Sequence, residues 1–168
     1  QWKKTQEGMN IYFLMDRSKS IPIEEQHLAH KLLTSAEKQK NDKVGLMVFG
    51  ADAGIETSLS DTMLETNRIQ TVINSDRTDI AGAIRLGTAA FPETGQKRLV
   101  LFSDGNENIG DAVQAVMAAK PLNVTLDVVK LNTHEGGDVA VQRLSIPSSI
   151  KKSQPFDAKI FALSDREQ

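Results

Sequence analysis

Three features of the sequence predict an α/β fold built on a doubly wound, mostly parallel sheet flanked by helices. Short apolar runs alternate with segments of helical period, the runs are unbroken rather than alternating in polarity, and turn residues punctuate every exchange. Unbroken apolar strands belong to sheets covered on both faces, which is the arrangement a parallel sheet requires. The last part of the chain departs from this pattern and predicts a C-terminal β-hairpin extension.

Residues 9–15 (MNIYFLM) form a compact apolar run closed by Asp16, and from Ile21 onward Leu28, Leu32 and Ala36 share one helical stripe. Strand, loop and helix follow in that order. Pro22 suits the first turn of the helix, where its missing N–H costs nothing. A second strand is expected over residues 44–49, and residues 50–54 are turn material. The connection to the next segment, residues 55–59, is too short for a parallel crossover, so that segment is expected as an antiparallel edge strand. A helix is expected over residues 61–73, then a polar loop over 74–78. A further helix is expected from Ile80 to the Phe91-Pro92 stop, with Gly82 and Gly87 permitting close packing. Residues 98–102 (RLVLF) read as a buried strand. Asp111 followed by Gln114 resembles a capping box opening a helix to Ala119, and residues 124–131 are the fifth strand.

Beyond that, Val139 and Val141, then Phe156, Ala158, Ile160 and Ala162, follow a period of two, with residues 148–155 as the turn. Some 30 residues cannot make a stable core alone. Three segments result: a linker over residues 1–8, an α/β domain over 9–137, and a hairpin extension or the start of a second domain over 138–168. The opening Gln1-Trp2-Lys3-Lys4 has neither an initiator Met nor a signal-peptide core, so the chain reads as a piece of a longer protein.

Composition narrows the function. The 20 Lys and Arg against 22 Asp and Glu leave a net charge of -2, with no global pull towards nucleic acid or anionic lipid. With no Cys, disulfides, zinc-thiolate sites and thiol nucleophiles are excluded. No apolar run approaches the roughly 20 residues needed to span a bilayer. His27 and His30 fall on the polar side of a helix and His134 in a loop, each without an acid at ligand spacing. The five Met residues are expected as core filler.

In open α/β sheets, ligands bind beyond the carboxyl ends of the strands, where neighbouring crossovers take opposite faces. The first strand delivers Asp16-Arg17-Ser18-Lys19-Ser20 to that rim and the fourth delivers Ser103-Asp104-Gly105. The loop ending at Thr78 can reach the same edge. Alternation turns the oxygens of Asp16, Ser18 and Ser20 to one side and sends Arg17 and Lys19 towards solvent. Carboxylate and hydroxyl oxygens are hard ligands, suited to Mg²⁺, and also Mn²⁺ or Ca²⁺, rather than zinc or copper.

These three motifs, Asp16-x-Ser18-x-Ser20, Thr78-Asp79 opening a helix, and Ser103-Asp104-Gly105 after an apolar strand, resemble the metal-ion-dependent adhesion site of von Willebrand factor A domains. The resemblance covers about residues 9–131 and implies a Rossmann-like fold. It implies that Ser18 and Ser20 are direct metal ligands, that Thr78 is a direct ligand in ligand-bound states, and that Asp16 and Asp104 act directly or through water. It further implies a protein partner offering Asp or Glu to the metal, with Arg17, Arg77 and Asp79 placed around the contact. The residues Ser75-Asp76-Arg77 before Thr78 depart from the commoner Gly-rich form. Residues 138–141, 146–147 and 154–156 are similar to the junction in bacterial proteins where a β-sandwich follows such a domain. That similarity implies a membrane-anchored parent in the cell envelope, with self-association through the hairpin as a further expectation.

Ser18 and Ser20 could instead cap the helix after Pro22, and Thr78 or Asp79 the next one; their joint occurrence with Asp104 favours the metal. The rival from another class is a Mg²⁺-dependent phosphoryl-transfer or hydrolytic enzyme with Asp16 as nucleophile. Position 18 would then be a second Asp, and it is Ser. The sequence contains neither a phosphate-binding Gly-x-x-x-x-Gly-Lys-[Ser/Thr] loop nor a Gly-x-Ser-x-Gly elbow.

Overall fold

The computed structural model describes residues 8–65 and 68–132, and the backbone alone of residues 140–146 and 159–164. The element order is β1 (Met9–Asp16), α1 (Ile23–Ser35), β2 (Lys43–Phe49), β3 (Ala53–Ser60), α2 (Ile80–Ala90), β4 (Gln96–Ser103), α3 (Ala112–Ala119), a 3₁₀ turn (Lys120–Leu122), β5 (Val124–Lys130), β6 (Ala140–Ile146) and β7 (Lys159–Ser164). The described strands lie in one sheet of order β3-β2-β1-β4-β5-β6-β7. The stretch β2-β1-β4-β5 is parallel, and β3 pairs antiparallel on β2 as its short connection requires. This is a Rossmann-like α/β sheet.

Alternate residues of each strand feed two cores. Tyr12, Leu14, Met47, Phe49, Leu99 and Leu101 pack with Ile80, Ala83, Ile84 and Ala115 of α2 and α3. Phe13, Met15, Leu46, Val48, Val100 and Phe102 pack with Ala29 and Leu33 of α1 on the other face. Successive residues of β1, β2 and β4 are buried on both sides, which accounts for their unbroken apolar runs. The chain leaves β1 through α1 to reach β2 on one side and passes through α2 to reach β4 on the other. The carboxyl ends of β1 and β4 therefore form the switch point of the sheet. Glu25 of α1 is buried and its Oε2 accepts the Asn132 amide at 2.9 Å, fixing the helix to the chain leaving β5.

The helix expected over residues 61–73 does not form among the described residues of that stretch. Amides of the stretch find another acceptor, the Glu56 carboxylate on β3, which takes Gln70 N at 2.8 Å and Thr71 N at 2.7 Å, and directly after it Asp52 takes Asn74 N at 2.7 Å. Leu64, Ile69 and Ile73 still pack against the α1-side core, so the apolar periodicity reports burial without a helix. The run Thr71-Val72-Ile73 is β-branched throughout and favours the extended form. Burial acts to raise the Glu56 pKa, but the bonds from Thr71 and Gln70, with Arg17 nearby, prevail and hold it below its ordinary value.

Two smaller expectations also change. Met15 and Met47 are core residues, whereas Met63 and Met117 are 57% and 62% exposed and fill no gap. The C-terminal hairpin extends the main sheet: β6 pairs antiparallel with β5 from Leu126↔Ile146 to Lys130↔Gln142, and β7 pairs antiparallel with β6. An unpaired β5 would leave a row of free backbone groups, and β6 satisfies them. The linker residues 1–7, His134, Val139, Phe156, Ala158 and the turn 148–155 lie outside the described residues.

Candidate metal centre

At the end of β1, Asp16 is fully buried and both of its carboxylate oxygens are engaged. Oδ1 accepts the Ser18 amide at 2.9 Å and the Ser18 hydroxyl at 2.7 Å, while Oδ2 accepts the Ser103 hydroxyl at 2.7 Å. The Ser18 and Ser20 hydroxyls are 2.9 Å apart. The alternation expected of Asp16-x-Ser18-x-Ser20 is thus realised as a contiguous row of oxygens. Asp16 and Ser18 are buried and Ser20 is exposed, so the row runs from the interior out to the surface.

Neither serine caps the helix that follows. The cap position of α1 is Pro22, which makes no side-chain capping bond. At α2 the cap is Asp79, whose Oδ1 accepts Gly82 N at 2.7 Å, leaving the Thr78 hydroxyl uninvolved in that cap. The cap reading therefore holds for Asp79 and fails for Ser18, Ser20 and Thr78.

Three loops are laced together at this rim. Lys19 N donates to Ser75 O at 2.9 Å, and the Lys19 ammonium pairs with Asp76, so the loop before Thr78 is tied to the first motif without a Gly-rich sequence. Asp79 N donates to Gly50 O at 2.8 Å. Thr78, 2% exposed, is bonded by Asn108 and Ile109 from the loop after β4. In that loop Asp104 is 8% exposed, and its oxygens accept Asn106 N at 2.9 Å and Asn106 Nδ2 at 3.2 Å. Gly105 sits at φ +82°, a conformation that glycine adopts without strain, and turns the chain away directly after Asp104.

The donor set fits a hard divalent cation. Asp16, Ser18 and Ser20 present oxygens joined by hydrogen bonds of 2.7 and 2.9 Å, and carboxylate and hydroxyl donors of this kind suit Mg²⁺, Mn²⁺ or Ca²⁺. Among the described residues no three His, Asp or Glu gather into a metal-binding group, so the fit is to a mixed carboxylate and hydroxyl site.

The surrounding charges are less uniform than expected. Lys19 is exposed, but Arg17 is half-buried and lines a cleft with Met15, Ile23 and His27. Arg77 is exposed beside Thr78. The Asp79 carboxylate is committed to its cap and lies 4.0 Å from Arg85. Two participants were not singled out from sequence. Ser103 could have been, because a hydroxyl preceding Asp104 at the end of a buried strand must find a partner. Asn108 gives no sequence signal, since its partner lies on another loop.

Burial pushes the Asp16 carboxyl above its ordinary pKa of 3.8. Hydrogen bonds from Ser18 and Ser103 act against this, and the charge of Asp104 adds to it. A raised folded-state pKa contributes stability that is present below the unfolded value and lost as pH rises through the folded one. Metal-free protein should therefore be penalised at neutral pH by this carboxylate. Asp16→Asn should raise the metal-free thermal midpoint at neutral pH and flatten the loss of stability above about pH 4. Thermal scans in EDTA check this, and a lower midpoint for Asp16→Asn would contradict the assignment.

Known proteins share the fold. A crystal structure described as an aerotolerance-related membrane protein from Bacteroides fragilis NCTC 9343, with multiple mutations to serines, is similar at TM-score 0.60 and 22% identity over 94% of this chain and 82% of that one. The conserved hypothetical protein BatB from Bacteroides thetaiotaomicron is similar at TM-score 0.58 and 20% identity, over 94% and 80% of the two chains. Proximal thread matrix protein 1 from the mussel byssus, in a structure described as having a zinc-occupied MIDAS motif, is similar at TM-score 0.58 and 17% identity, over 74% and 36%. The zinc in that protein departs from the preference for hard cations drawn from oxygen ligands alone. No curated protein matches the chain. A family profile described as von Willebrand factor type A domain matches residues 11–107. With that match spanning more than half of the sequence, and the Rossmann-like sheet beneath it, the chain belongs to the von Willebrand factor type A domain family.

Proposed function

We propose that the chain is a metal-dependent protein-binding module. A divalent cation is held by Asp16, Ser18, Ser20, Thr78 and Asp104, and an Asp or Glu of a partner protein takes its remaining coordination position. The observation carrying this reading is the hydrogen-bonded row of Asp16, Ser18 and Ser20 oxygens, at the rim shared with Thr78 and Asp104. Two carboxylates and three hydroxyls leave such an ion short of ligands and open to an external anion. Mg²⁺ is favoured, then Mn²⁺ and Ca²⁺; the zinc-bearing mussel protein makes zinc a fourth ion for comparison. Arg77, exposed beside Thr78, is placed to meet the partner's acidic residue. Arg17, half-buried, and Asp79, engaged at its cap, contribute less.

The module grips rather than transforms. Asp16 is fully buried with both oxygens accepting hydrogen bonds, a poor position for an attacking nucleophile. Ser18 stands where a second acid would serve phosphoryl transfer. The natural partner is a protein, with no role for nucleic acid.

The resemblance to two Bacteroides proteins, one described as a membrane protein, supports a membrane-anchored parent in a bacterial envelope. Among the described residues no helix is long and apolar enough to cross a membrane. Residues 138–168 are read as a hairpin extension of the domain's sheet or as the start of a β-sandwich, and β7 at the end of the sheet offers an edge for self-association. Deleting residues after Asp138 should leave magnesium binding within about twofold of the full chain, because every ligand precedes that point. An unfolded product in circular dichroism would place the hairpin within the domain instead.

The function is tested by capturing partners from bacterial envelope extracts on immobilised protein, with Mg²⁺ or with EDTA. The captured protein should be released by EDTA and lost with Thr78→Ala, whereas Arg17→Ala should weaken it less. Binding that survives both chelation and Asp104→Ala would place the grip elsewhere.

A further inference from the structure

We propose that Asn108 is a positioning residue: it locks Thr78 to the loop that carries Asp104, so that metal ligands on two separate loops are held as one unit. The proposal rests on the metal-site reading above and adds a residue that the motif does not contain. The Thr78 N–H donates to Asn108 Oδ1 at 2.9 Å, and the Thr78 carbonyl accepts Asn108 N at 3.0 Å and Ile109 N at 3.2 Å. Both backbone polar groups of Thr78 are thus satisfied by two consecutive residues of the loop after β4. Thr78 is 2% exposed, and the place of its hydroxyl depends on where this backbone is held.

The loop supplying these bonds is itself fixed at both ends. Asn106 holds both oxygens of Asp104, and Glu107 accepts Ala112 N at 3.0 Å at the start of α3. Gly110 packs so close to the Asp79 cap that a Cβ there would lie 2.8 Å from Asp79 Oδ1, which brings the loop against the start of α2 as well. Thr78 therefore inherits its position from the Asp104 loop. An Asn on an exposed loop commonly serves a left-handed turn. Asn108 does not: among the described residues Asn123 is the non-glycine residue with positive φ. Its amide side chain is used for the Thr78 bond.

Groups that hydrogen-bond to metal ligands and orient them typically change metal affinity by 10–100-fold when removed. Magnesium titration calorimetry on wild type, Asn108→Ala, Thr78→Ala and the double variant separates positioning from general loop stability. Asn108→Ala should weaken magnesium binding about tenfold in the wild-type background, and by no more than about twofold when Thr78 is already Ala. Equal losses in both backgrounds would overturn the proposal, because Asn108 would then act independently of Thr78. Hydrogen exchange of the Thr78 amide gives a readout that needs no metal. It should be slow in wild type and at least about tenfold faster in Asn108→Ala. Should Asn108→Ala fail to fold, the wild-type amide decides alone, and exchange at the rate of a free amide overturns the proposal. Wild-type protein that binds no magnesium would overturn the metal site itself and the positioning role with it; that outcome is separable because it precedes any comparison of variants.

Discussion

Magnesium at a hundredfold excess over its dissociation constant is expected to stabilise the protein by about 2.7 kcal/mol, because an ion bound only by the native state adds its binding free energy to folding. For a domain of this size that corresponds to a thermal midpoint raised by roughly 5–10 °C. Asp16→Ala should erase the increment. Asp16 is the buried hub of the proposed site: its two oxygens order Ser18 and Ser103, and through Ser18 the row continues to Ser20. Its removal takes away a carboxylate ligand and the acceptor that orients a second ligand. Scanning calorimetry with and without Mg²⁺ on both proteins checks the result. An equal metal-induced rise in Asp16→Ala would move the site elsewhere.

The larger effect is structural. Phe49→Ala should destabilise the domain by about 3–5 kcal/mol, the range for deleting a buried aromatic ring. Phe49 is fully buried in the core beneath α2, stands opposite Asp16 in the parallel pairing, and its carbonyl accepts Arg17 N at 2.9 Å. A cavity there lies under the rim that presents the first motif. Urea denaturation measures the loss, and saturating Mg²⁺ should restore part of it if the site survives. A loss below about 1 kcal/mol would mean that the core closes over the vacancy.

The elements most legible in the sequence were those whose pattern has one physical cause. The unbroken runs ending at Asp16 and Ser103 could only be strands covered on both faces, and they are β1 and β4. The short connection before residue 55 allowed only an antiparallel partner, and β3 is one. The stretch 61–73 misled because its apolar spacing suits a helix or an irregular segment with buried anchors equally well. The Glu56 and Asp52 carboxylates, distant in sequence, decided between them by accepting amides within it and directly after it. The same holds for Arg17, whose expected exposure followed from alternation, but which lies half-buried beside α1.

By itself the sequence determined the chemical character of the site: which oxygens are available, their alternation after β1, and the strand ends that carry Asp16 and Asp104. Those are local properties, fixed by residue type and by the two-residue period of extended chain. Only the tertiary structure decided how the loops are joined, with Ser103 on Asp16, Ser75 on Lys19 and Asn108 on Thr78. Each of these bonds links segments far apart in the chain. Their geometry follows from the parallel pairing of β1 with β4 and the docking of α2, which residue spacing does not encode.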